Sequence, residues 1–228
     1  MAGAPGSPNF GPRRDGARPS LVVLHYTGMP TSGAARALLC DPAAEVSAHW
    51  LIDEAGRAEQ LVDEGQRAWH AGAGAWGAVR DVNSHSIGIE IANPGDAPFA
   101  EPQMATVERL LAEILGRWAI PPERVIAHSD MAPDRKRDPG PRFDWRRLAL
   151  GGLAVWPKAG PEREAEGRSP LRGSLRAFGY PDMPSGLLLA AFRLRFRPWA
   201  SGPEDATDRA LAADLARRFP VDDARPSA

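Results

Sequence analysis

The chain predicts an α/β domain with a mixed central β-sheet flanked by helices, followed by a small three-helix unit. Three observations carry this expectation. Apolar, β-branched runs alternate with helical spacing as far as about residue 150. A polar stretch rich in Pro and Gly, WPKAGPEREAEGR, then breaks the pattern as a linker does. Beyond it only short helical periods remain. The expected organisation is an irregular lead-in over 1–18, the α/β domain over 19–156, a linker over 157–169 and the helical unit over 170–221.

The first twenty residues, MAGAPGSPNFGPRRDGARPS, contain no apolar core of the kind a signal peptide needs, so a cytoplasmic location is expected. SLVVLHYT at 20–27 reads as a central strand, with Leu21, Val23 and His25 on one face and Val22, Leu24 and Tyr26 on the other. Helical spacing follows over 32–39. VSAHWLI at 46–52, a turn at DEAG, and a run at 58–62 read as a hairpin. The Gly- and Ala-rich segment 73–83 is expected to loop over the surface. SIGIEIA at 86–92 alternates cleanly, setting Ile87, Ile89 and Ile91 against Ser86, Gly88, Glu90 and Ala92.

The best helix spans 101–118, where Met104, Val107, Leu110, Leu111, Ile114, Leu115 and Trp118 form a broad apolar stripe. A strand at 124–128 delivers His128. The segment after it, broken by Pro133, Pro139 and Pro141, is expected to be a rigid loop without helix. Helical patterns at 170–178, 185–196 and 205–219 carry stripes led by Leu171, Leu188 and Leu211. About fifty residues make a marginal core alone, so this unit is expected to lean on the larger domain.

Composition narrows the function classes. Of 228 residues, 43% are hydrophobic and 25% charged, which suits a globular protein. A formal net charge of −1 argues against nucleic acid as a partner. The single cysteine, Cys40, excludes an internal disulfide and a Cys-rich zinc module. No apolar run of about 18 residues occurs, so no transmembrane helix is expected.

The segment RVIAHSDMAPDRKRDPGPRFDW concentrates costly side chains on a rigid loop. A catalytic zinc takes three N or O ligands and leaves one position open. His25, His128 and Asp138 satisfy that list; the alternative is two hydrogen-bonded core histidines and a turn aspartate. Hydrolysis also needs a proton acceptor and a group to steady the oxyanion. Glu90 suits the first and Lys136 the second; otherwise Glu90 faces solvent and Lys136 is one more charge in a polar run. His49 reads as a core residue, Trp69 and His70 could line a groove, and His85 has no assigned role.

Taken together, LHYTG, VSAHWLI, AWHAG, SIGIEIANPG and AHSDMAPDRKRDPGPRFDW resemble the zinc-dependent N-acetylmuramoyl-L-alanine amidases of type 2, relatives of the peptidoglycan recognition proteins. The resemblance implies one zinc at the sheet edge, held by His25, His128 and Asp138, with Glu90 as catalytic carboxylate and Lys136 as catalytic lysine. It implies hydrolysis of the amide between N-acetylmuramic acid, or its 1,6-anhydro form, and L-alanine in muropeptides. A wall-degrading amidase or a non-catalytic receptor are the alternatives. The tail, through LRAFGY, GLLLAAFRLRFRP and DATDRALAADL, resembles a three-helix peptidoglycan-binding domain; a stabilising appendage is the competing reading.

Overall fold

The computed structural model describes residues 6–158 and 170–221; the expected linker from residue 159 onward lies outside them. Five strands organise the chain: β2 (Leu21–Tyr26), β3 (Trp50–Ile52), β4 (Ala58–Gln60), β6 (Ser86–Ile91) and β7 (Val125–Ala127). They form one sheet in the order β4-β3-β6-β2-β7. Neighbours pair in parallel except β3 with β4, so the sheet is mixed as the sequence predicts. β2 and β6 are almost wholly buried, and continuous apolar runs are what strands covered on both faces require.

The alternation along these strands separates two cores. Val22, Leu24, Ile87, Ile89, Ile91, Val125 and Ala127 face helix α3 (Glu101–Trp118), meeting Met104, Val107, Leu110, Leu111 and Ile114. Leu21, Val23 and Ile126 face the other way, onto the C-terminal helices α6 (Leu171–Phe178), α7 (Ser185–Phe196) and α8 (Ala206–Arg218). Leu175, Phe178, Leu188, Phe192, Phe196 and Leu215 complete that second core. Burying each such side chain is worth about 1.5–3 kcal/mol. The C-terminal helices thus cover one face of the sheet, as their marginal size demands.

Four local expectations are corrected. Residues 7–13 are no irregular lead-in: β1 (Phe10–Pro12) pairs antiparallel with β5 (Gln66–Ala68), and Arg13 donates to the carbonyls of Glu64, Asn83, Ser84 and Ser86. The strand over 46–52 shortens to Trp50–Ile52. There the Ser47 hydroxyl binds Asn9 and Trp69 backbone, and the buried His49 ring accepts from Gly88 N and reaches Gln66 O. These side-chain bonds add to backbone bonds from Ser47 N to Trp69 O and from His49 N to Gly88 O. Segment 73–83 is not a surface loop, because Trp76 is fully buried between Phe178 and Tyr180. Finally, one turn of helix, α4 (His128–Met131), follows β7 directly. It stops where the residue before Pro133 cannot continue it. Helix α1 (Ser32–Leu39) forms where predicted, capped by Thr31 Oγ1 accepting from Ala34 N. Among the described residues no helix is long and apolar enough to cross a membrane.

Gly179 closes α6 with φ +133°, and a Cβ there would lie 2.5 Å from the Trp76 ring. Gly179→Ala therefore meets both backbone strain and a clash, and is expected to cost about 2–4 kcal/mol. Urea unfolding measures this; an unchanged midpoint would contradict the Trp76 packing.

Candidate active site

The parallel register between β2 and β6 sets His25 directly opposite Glu90, with Val23 opposite Gly88 and Leu21 opposite Ser86. Paired residues in register project to the same face, so imidazole and carboxylate emerge together at the strand ends. β7 lies on the other side of β2 and delivers His128 at the start of α4. The Pro-rich loop then returns Asp138, whose carbonyl accepts from Ser129 N at 3.0 Å. Residues separated by 113 and 10 positions thereby meet.

The meeting point is a single oxygen. Asp138 Oδ2 lies 2.8 Å from His25 Nδ1 and 3.0 Å from His128 Nδ1. All three residues are buried, and one donor atom from each lies within 4.8 Å of the others. Among the described residues this is the one convergent group of three such donors.

Hydrogen bonding assigns the imidazole protons. A carbonyl only accepts, so the contact of His128 Nε2 with Ala71 O at 2.9 Å places a proton on Nε2, and a neutral ring then keeps its lone pair on Nδ1. The His25 side is fixed by a longer chain. The one hydroxyl proton of Ser86 goes to Val82 O at 2.6 Å, so His70 Nε2 must donate to Ser86 Oγ at 3.1 Å. Burial and the neighbouring histidines hold His70 neutral, its pKa well below the ordinary value. His70 Nδ1 is then an acceptor for His25 Nε2–H at 3.0 Å, and His25 Nδ1 is also a lone pair. Burial, then His128, lowers the His25 pKa to about 4, so it too is uncharged at neutral pH. Two ring nitrogens and a carboxylate oxygen thus converge at one point.

The wall of the site carries the other predicted groups. A cleft of about 430 Å³ is lined by His25, Trp69, His70, Glu90, His128, Lys136 and Asp138. Glu90 Oε2 is buried and finds no hydrogen-bond partner. Its pKa is raised well above the ordinary value by burial, with Asp138 adding to the effect and the Lys136 ammonium opposing it.

Residues 15–141 match the family model described as N-acetylmuramoyl-L-alanine amidase. The chain belongs to that amidase family. It is 35% identical to the N-acetylmuramoyl-L-alanine amidase AmiD of Escherichia coli (strain K12), over 90% of this chain and 85% of AmiD. It is 33% identical to the 1,6-anhydro-N-acetylmuramyl-L-alanine amidase AmpD of Haemophilus influenzae, over 62% of this chain and 86% of that protein. The solved complex of E. coli AmiD with anhydro-N-acetylmuramic acid-L-Ala-D-gamma-Glu-L-Lys superposes with a TM-score of 0.80, covering 91% of this chain and 92% of that one. AmpDh3 from Pseudomonas aeruginosa, in complex with anhydromuramic pentapeptide, also gives 0.80 at 30% identity, over 91% of this chain and 94% of that one.

The amidase's donor set suits zinc: two imidazole nitrogens and a carboxylate, each imidazole oriented by a hydrogen bond from its far nitrogen. The unpartnered Glu90 oxygen in the same cleft suits a water or substrate proton. Trp69 lines the cleft as expected of a groove residue. His70 lines it too, but both its ring nitrogens are engaged by His25 and Ser86, so its hydrogen bonding serves His25 rather than a ligand. Reading the sequence missed Ser86, the Ala71 carbonyl and Gly88. A Cβ on Gly88 would lie 2.4 Å from the His70 ring, so that glycine makes room for it. The small residue inside SIGIEIA was the available signal.

The raised Glu90 pKa has a stability consequence. Below the usual carboxylate value of 4.5 the carboxyl is neutral in both folded and unfolded chains, and its burial is harmless. As pH rises through the raised folded pKa, that stability is lost. Metal-free Glu90→Gln is therefore expected to melt higher than wild type at pH 7 and to match it near pH 4, as read by differential scanning calorimetry. A difference independent of pH would show that Glu90 is not strained by ionisation.

Proposed function

We propose that the chain hydrolyses the amide between the lactyl carbonyl of anhydro-N-acetylmuramic acid and L-alanine in muropeptides, using zinc held by His25, His128 and Asp138. The observation that carries this reading is the convergence of three lone-pair donors on the floor of a cleft that also presents an unpartnered carboxylate. The anhydromuramyl substrate rests on the solved relatives that hold such peptides.

Zinc bound there supplies Lewis acidity, polarising the scissile carbonyl and acidifying water. Glu90, on the cleft wall with one oxygen free, accepts the proton of the attacking water. The new C–O bond forms as the carbonyl becomes tetrahedral. Lys136, whose charge acts on both His25 and Glu90, steadies the negative oxygen of that species. Glu90 then returns the proton to the alanine nitrogen as the C–N bond breaks, leaving a lactyl carboxylic acid and a free amine, and the acid's proton passes to the amine to give carboxylate and ammonium. Trp69 offers a flat apolar wall against which sugar or peptide can stack.

The test is release of the L-alanine-terminated peptide from anhydro-muropeptide, followed by mass spectrometry. Chelator is expected to abolish release and added zinc to restore it; release indifferent to chelation would refute the metal. Glu90→Ala is expected to keep its zinc while turnover falls by about two orders of magnitude or more. Zinc lost from that variant would make Glu90 a ligand instead. Asp138→Ala is expected to lose zinc on dialysis, and retained stoichiometric zinc would mean that the third donor lies elsewhere.

A further inference from the structure

His128 reaches the site from a single turn of helix. Four helical residues cannot hold themselves together, since the first turn costs more than it returns until a helix lengthens. The geometry of α4 must therefore be imposed from outside. Part of the restraint is local: Ser129 N donates to Asp138 O at 3.0 Å, tying the turn to the neighbouring ligand. The rest passes through Asp130, which is fully buried. Its Oδ2 accepts from Ala127 N at 2.9 Å, the residue immediately before His128.

The remaining capacity of Asp130 is taken up by the C-terminal helices. Tyr180, just after α6, donates its hydroxyl to Asp130 Oδ1 at 2.5 Å. Arg195, within α7, donates Nη1 to Asp130 Oδ2 at 2.6 Å and Nη2 to Val125 O at 3.1 Å. The guanidinium also lies over the Trp145 ring, 4.1 Å from its centroid. Arg195 is 2% exposed and Tyr180 3%. A buried ion pair with a third partner is directional, unlike the apolar contacts around it, and is poor at contributing stability for its own sake. Both partners lie beyond residue 141, where the match to the family model ends.

We propose that Tyr180 and Arg195, acting through Asp130, are positioning residues that fix the turn carrying His128, so that the C-terminal helices set the metal site's geometry. The proposal rests on the reading of His128 as a zinc ligand. It gives these helices a role in the reaction without any contact with substrate.

Zinc affinity by competition with a chromophoric chelator tests it, alongside the melting midpoint of each metal-free protein. Tyr180→Phe keeps the ring that packs on Trp76 and removes one hydrogen bond. The pair Asp130→Leu/Arg195→Met removes both charges together, so that neither is left buried alone. Leu188→Ala damages the same apolar interface without touching Asp130. Loss of a group that orients a metal ligand typically weakens metal binding by about 10–100-fold. One link further out, Tyr180→Phe is expected to weaken zinc by roughly 3–10-fold with a nearly unchanged midpoint, and the pair by about tenfold or more. Leu188→Ala is expected to lower the midpoint further than Tyr180→Phe yet keep wild-type zinc affinity. Wild-type affinity in either clamp variant overturns the proposal, as does zinc weakened in Leu188→Ala to the same degree. A wild-type protein that binds no zinc at all removes the metal reading and the clamp with it.

Discussion

Everything at the site depends on one carboxylate oxygen facing two imidazole nitrogens at the edge of a cleft. Asp138 Oδ2 sits 2.8 Å from one Nδ1 and 3.0 Å from the other. The opposite nitrogens are committed, one to a backbone carbonyl and one to a histidine itself locked by Ser86. Two imidazoles and one carboxylate held in this way are a donor set of the kind zinc takes, and the surrounding fold determines their geometry.

The fold supplies the determination in layers. Parallel pairing of β2 with both β6 and β7 brings three strand ends together, and one register decides that His25 and Glu90 share a face. A slip by a single residue would turn the whole alternating set over and bury the wrong side chains in each core. The Ile87–Ile89–Ile91 row under α3 is therefore what makes Glu90 point at the metal site. Gly88 leaves the space that His70 fills, and His70 in turn orients His25. On the opposite face the C-terminal helices close the second core and reach Asp130 beside His128.

Much of this was legible in the residues because period and burial agree. The strand at β2, the alternation of β6 and the stripes of α1, α3 and α7 follow from spacing alone, and the structure forms them where the pattern falls. What escaped was set by side chains binding backbone over long sequence separations. Arg13 pins the N-terminal segment through carbonyls 51 to 73 residues away, a pattern no local window contains. Trp76 sits in a Gly- and Ala-rich stretch that looks like a loop, yet is buried by helices about a hundred residues on. The donor triad itself has no spacing rule; ligand chemistry nominated its members, and the resemblance of their motifs singled them out. The tautomer chain through His70, Ser86 and Val82 was visible only once coordinates set the distances.

The central claim is that His25, His128 and Asp138 share one ion. X-ray diffraction from zinc-loaded crystals, recorded on either side of the zinc absorption edge, addresses it directly. The account predicts a single anomalous peak at about 2.0–2.2 Å from His25 Nδ1, His128 Nδ1 and an Asp138 carboxylate oxygen. A peak bonded to other side chains, or none between these three in a fully loaded protein, would contradict it.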